Sequence, residues 1–191
     1  MEHRHDGNGM TYLLIDGENI DTTLGVSILG GRPSPDERPR WERLLTFFAD
    51  HWGQDVKALF FIAVHGENLP LPFVQALIAI GYTPVPLTGP PDVKVVDIAI
   101  ARTMEAIADR TGDVVLASHD GDFLPHAARL LRAGRRVAVV GFREFVNGGY
   151  VDLVREGLEI LDMEHDAGAF TYRLPRTRII PIEEFDPLDF I

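Results

Sequence analysis

The sequence predicts an α/β fold whose mostly parallel sheet is covered by helices on both faces. Two observations predict it. Strand-like and helix-like segments alternate from residue 11 to residue 140, and the strand-like ones are continuous apolar runs. Continuous runs belong to strands buried on both faces, and intervening helices supply the crossovers that parallel strands need.

The elements follow in order. Residues 1–10 read as a flexible leader, because Met1–Gly9 lacks the apolar stretch of a signal peptide. Residues 11–16 form the first strand, and residues 20–38 read as a long loop punctuated by Gly25, Gly30, Gly31, Pro33 and Pro35. Trp41–His51 has Trp41, Leu44, Leu45 and Phe48 at helical spacing. Val56–Val64 is a strand and Pro72–Ile80 a helix stopped by Gly81. Tyr82–Leu87 is a short strand, which Pro84 and Pro86 assign to a sheet edge because proline cannot donate to the ladder. Val93–Arg110 is a helix, Asp113–Ala117 a strand, Gly121–Ala133 a helix ended by Gly134, and Arg136–Val140 a strand. Beyond Gly141 the pattern loosens into a short helix, Tyr150–Arg155, and a last strand, Leu158–Met163. The reading is one domain over residues 11–163 and a C-terminal extension over 164–191, consistent with the length of 191 residues.

Composition narrows the function. The absence of cysteine excludes disulfides, thiolate zinc sites and cysteine nucleophiles. No run approaches the roughly 18 apolar residues of a membrane span, so the expectation is a cytoplasmic protein without a membrane partner. The net charge of −11 argues against a general nucleic-acid binder, but the charge is unevenly placed. Residues 156–191 carry nine acids and three arginines, a net of −6, so the larger body is closer to balance. The apolar, acidic segment 168–191 suits packing on the body, on a second copy of the chain, or on a protein partner.

Chemistry concentrates at strand ends. Asp16 closes the run Tyr12–Ile15 and precedes Gly17-Glu18-Asn19; Asp120-Gly121-Asp122 follows the run Val114–Ala117. Strand carboxyl ends are where open α/β sheets bind ligands. Carboxylates without imidazole or thiolate partners suit a hard cation, Mg²⁺ or Mn²⁺. Asp97 falls on the apolar arc of its helix with Val96, Ile100 and Met104, where an acid needs a partner. That partner is a cation or polar cluster, or else Lys94 in a surface pair one turn away. Asp120 and Asp122 also suit a cap and turn, and Ser118 either hydrogen-bonds a carboxylate or forms a turn. His119 and His126 read as local polar positions, since an oxygen-rich site needs neither. A strand-end Asp-x-Asp also raises an aspartate-nucleophile phosphatase, which would carry it on the first strand, followed by Thr or Val.

Three segments, Tyr12-Leu13-Leu14-Ile15-Asp16-Gly17-Glu18-Asn19-Ile20, Lys94–Ala101 and Val115–Pro125, together resemble the motifs of the NYN domain family, a PIN-like nuclease branch that includes the LabA-like proteins. The resemblance covers roughly residues 11–142. It implies a three-layer α/β/α sandwich of strand order 3-2-1-4-5 and Mg²⁺- or Mn²⁺-dependent hydrolysis of RNA phosphodiesters. It further implies that Asp16, Asp97, Asp120 and Asp122 are the catalytic metal ligands, and that Asn19 is a ligand or substrate contact. Lys94 and Ser118, beside the proposed ligands, belong to the substrate-binding side. Two positions depart from the family pattern: Thr103 stands where another Asp is frequent, which bears on a second metal, and His119 where a small residue is usual. The alternative expectation is a non-catalytic PIN-like regulator or adaptor acting through its C-terminal tail.

Overall fold

The computed structural model describes residues 9–64, 66, 69–176, 180, 182–189 and 191. Most of the expected leader therefore lies outside the described residues, as does Arg178 of the extension. Six strands form one sheet: β1 (Met10–Asp16), β2 (Asp55–Ala63), β3 (Tyr82–Leu87), β4 (Asp113–Ala117), β5 (Val137–Gly141) and β6 (Glu159–Asp162). Their order is β3-β2-β1-β4-β5-β6, and every pairing is parallel. This is the expected PIN-like order with β6 added beyond β5. The proline-bearing β3 lies at an edge, as its composition predicts.

Helices cover both faces, and the alternation of side chains along each strand sorts the core into two halves. Leu13 and Ile15 of β1 point to one half, with Ile20 of α1 (Gly17–Thr22), Leu44 and Phe48 of α2 (Trp41–Trp52) and Leu77 of α3 (Leu71–Ala79). Leu14 points to the other, with Ile100 and Met104 of α4 (Val95–Ala108), Leu130 of α5 (Leu124–Arg132) and Tyr150 of α6 (Tyr150–Val154). All of these except Leu77 are fully buried, and Leu77 nearly so. A strand inaccessible on both faces explains why β1 reads as unbroken apolar sequence.

The segment after β1 differs from its sequence reading. Residues 20–38 are not a loop throughout: α1 runs into a π-helical stretch, Thr23–Leu29, before a 3₁₀ turn at Pro35–Glu37. Ile20 and Leu24 bury themselves one turn apart, which is the driving force for winding. Gly25 is buried inside this helix because a Cβ there would stand 2.9 Å from the Gly31 carbonyl oxygen. Gly30, at φ 69°, ends it in the left-handed region.

Part of the C-terminal segment closes over the first half of the core. Ala169, Phe170 and Leu174 are buried there, and Arg43 donates to the carbonyls of Gly168 and Phe170 at 3.1 and 2.8 Å. Arg176 then plunges into a carboxylate cluster. Its Nη1 donates to Asp162 at 2.8 Å and to Glu164 at 2.9 Å, and its Nε donates to Glu144 at 2.8 Å. Its guanidinium lies 5.1 Å from the Phe142 ring centre. Further on, Ile182, Leu188 and Ile191 are exposed. No described helix is long and apolar enough to cross a membrane.

Candidate metal centre at the carboxyl edge of the sheet

Strand order reverses between β1 and β4: the chain builds outward through β2 and β3, then returns through α4 to pair β4 with β1 on its other side. Loops leaving these two strands diverge, which opens a crevice at the carboxyl edge. The register pairs Ile15 with Ala117, so Asp16 and Ser118 emerge side by side into it. The resulting cleft, roughly 570 Å³, is lined by Asp16, Asn19, Lys94, Asp97 and Asp120 among others.

Asp16 is almost fully buried. One carboxylate oxygen accepts from the backbone N–H of Asn19 at 3.3 Å, capping α1, and the other accepts from the Ser118 hydroxyl at 2.9 Å. Burial is the chief reason its carboxyl is pushed up to about 6, with the charges of Asp97 and Glu18 adding and the two hydrogen bonds opposing. Ser118 also accepts from the backbone N–H of Asp120 at 3.3 Å, so its one hydroxyl ties the two strand ends together. Asp120 accepts from the Asp122 N–H at 2.9 Å, and its carbonyl accepts from the Tyr150 hydroxyl at 2.7 Å. The cap-and-turn reading of this pair is therefore realised, with Asp120 lining the cleft and Asp122 largely exposed beside it.

Asp97, Asp120 and Asp122 each bring an oxygen within 4.8 Å of the others. Lys94 sits over this triad, with Nζ 3.2 Å from Asp97, 3.6 Å from Asp122 and 3.9 Å from Asp120. Hydrogen bonding and charge from Asp97, then the charges of Asp120 and Asp122, raise the lysine pKa. The two alternatives for Asp97 thus coexist: the Lys94 pair forms, and it forms at the cleft among other acids. The donor set fits a hard divalent cation, being three carboxylates from two separate elements with an ammonium already marking where positive charge is stabilised. Asp16 lies outside the tight triad, with both oxygens engaged in hydrogen bonds. Thr103 turns away onto its own helix, donating to the Ala99 carbonyl at 2.8 Å.

His119 is the residue whose importance the sequence reading missed. It is buried beneath the cleft, and burial pushes its pKa down to about 4, which keeps the ring neutral. Its backbone N–H and ring Nδ1 both lie against Asn19 Oδ1, at 2.9 and 2.7 Å. His126, by contrast, sits 3.5 Å from Glu105 on the adjoining helix. Among the other basic residues, Arg38, Arg129 and Arg136 are paired with Asp21, Asp109 and Asp113, respectively.

The NYN domain model matches residues 10–152. The chain belongs to the NYN domain family. Among solved structures, a Vibrio parahaemolyticus protein of unknown function is similar at a TM-score of 0.63 with 18% identity, over 87% of this chain and 98% of that one. That likeness concerns the fold. No curated protein matches. The NYN match spans all three strand-end and helix segments that build the cleft, and it stops short of β6 and of Asp162, Glu164 and Arg176.

Proposed function

We propose that this NYN protein is a ribonuclease that hydrolyses RNA phosphodiester bonds with a bound Mg²⁺ or Mn²⁺. The observation that carries the reading is the triad Asp97, Asp120 and Asp122, converging at the switch point beneath one ammonium. Family membership supports it, since NYN domains are PIN-like nucleases. Asp97, Asp120 and Asp122 would hold the cation, and Asp16 would complete the ligand set from the β1 side. When bound, the cation supplies Lewis-acid stabilisation of the phosphate and a more acidic water. Lys94, largely exposed above the triad, adds a positive charge that can follow the phosphate. Ser118 holds Asp16 and the Asp120 backbone in register, and Asn19 faces substrate. The net acidity of the chain suits a short phosphate contact here better than a broad electrostatic grip on RNA.

The test is cleavage of a panel of labelled RNAs with and without Mg²⁺ or Mn²⁺, comparing the parent with Asp16→Asn and Asp120→Asn. Divalent-dependent cutting that either substitution abolishes is expected. Cutting that survives both substitutions, or that proceeds in EDTA, overturns the reading.

A further inference from the structure

We propose that His119 is a positioning residue that fixes the Asn19 side chain with its amide nitrogen toward the cleft, making Asn19 a hydrogen-bond donor to a substrate phosphate oxygen and not a metal ligand. The inference rests on the reading of the cleft as an RNA-cleaving site, and its orientation half stands on geometry alone. A backbone N–H can only donate, so the Asn19 atom 2.9 Å from the His119 nitrogen is the oxygen, Oδ1. A flipped amide would set two donors against each other.

The imidazole tautomer follows by the same logic. The backbone N–H of Phe142 donates to His119 Nε2 at 2.8 Å, so Nε2 carries the lone pair. The neutral ring then keeps its proton on Nδ1 and donates it to Asn19 Oδ1 at 2.7 Å, with Thr23 Oγ1 also nearby at 3.2 Å. Both lone pairs of Oδ1 are spent inside the protein. The two N–H groups of Asn19 are left for the cleft, where Asn19 lies beside Asp16, Asp97 and Asp120. A cation needs the oxygen, which faces away; an anionic phosphate oxygen needs the donors.

The ring is held by more than these bonds. It stacks on Phe142 at 5.5 Å and 14°, and Phe145 meets it edge-on at 6.3 Å. Gly141 makes the space: a Cβ there would come within 2.6 Å of Nε2. The imidazole and the glycine, 22 positions apart, form one fitted unit behind Asn19.

Two measurements on the full chain test this. The first is the nitrogen-15 spectrum of the His119 ring in the parent protein, which needs no variant and no turnover. Pyrrole-type Nδ1 and pyridine-type Nε2 signals are expected, and the opposite assignment overturns the proposal whether or not the protein cuts RNA. The second is steady-state RNA cleavage by His119→Ala, His119→Asn and Asn19→Asp. His119→Ala should raise KM about tenfold, the scale of one charge-assisted hydrogen bond, with kcat little changed. His119→Asn, whose amide nitrogen can replace Nδ1–H, should restore KM. Asn19→Asp should also weaken RNA binding without lowering Mn²⁺ affinity, since its added carboxylate can only attract the cation. An unchanged KM in His119→Ala, or Asn19→Asp with unimpaired KM, overturns it. Absence of cleavage by the parent overturns the nuclease reading instead, leaving the ring spectrum to decide the orientation.

Discussion

Replacing Arg176 by Met removes the guanidinium from among Asp162, Glu164 and Glu144 while keeping an apolar stem of similar reach. The Arg176 side chain is 5% exposed, and those of Asp162 and Glu164 are 3% and 9%. Removing one partner of a buried charge cluster leaves the others uncompensated, which costs about 3–5 kcal/mol. The loss should depend on pH. Burial alone would raise the Asp162 pKa, but Arg176 and the backbone N–H groups of His165 and Arg143 outweigh it and hold the carboxyl well below 3.8. A carboxyl depressed on folding contributes stability that is present above its unfolded value, near 3.8, and is lost as pH falls through the folded one. In Arg176→Met the arginine's share of that contribution is absent at every pH, and the buried acids can neutralise by protonation. The deficit should therefore be largest at pH 7 and shrink as pH drops below about 4. Urea unfolding followed by tryptophan fluorescence at pH 7 and pH 3.5 measures both. A deficit under about 1 kcal/mol at pH 7, the range of an exposed pair, refutes the reasoning, as does an equal deficit at both pH values.

Other perturbations reach the core and the cleft. Leu116→Ala, fully buried on β4, should cost about 2–5 kcal/mol in the same unfolding assay. Ser118→Ala should cost about 1–3 kcal/mol, because Asp16 loses a donor and the Asp120 N–H an acceptor. Since that lost bond favours ionised Asp16, the acid limb of the cleavage profile should also move to higher pH. Lys94→Met should raise Mn²⁺ affinity about thirtyfold by calorimetry, from the repulsion of roughly 2 kcal/mol between a divalent ion and an ammonium near 4 Å in water-like surroundings. The same substitution should raise KM for RNA.

The sheet was legible because its strands are buried on both faces and so read as unbroken apolar runs, and the prolines of β3 marked an edge. The carboxylates were legible because Asp16 and Asp120 follow such runs directly. The π-helical stretch was not: its winding breaks the 3.6-residue rhythm, and Gly25 looks like turn punctuation when it is a packing requirement. His119 was missed for a different reason. Its burial depends on Gly141, at the end of β5, and Phe142, just past it, more than 20 residues away, and no local pattern announces that space. Arg176 likewise finds Glu144 across 32 residues. For Asp97, periodicity left a cation site and a Lys94 pair open, and the fold joins them by bringing Asp120 and Asp122 to the same ammonium.

The most direct test of the metal centre is anomalous diffraction from a crystal soaked in millimolar Mn²⁺. A peak among the carboxylates of Asp97, Asp120 and Asp122, with Lys94 displaced from the triad, is the expected result. A triad without anomalous density, or a peak elsewhere with Lys94 still seated, contradicts a divalent-cation centre at this edge of the sheet.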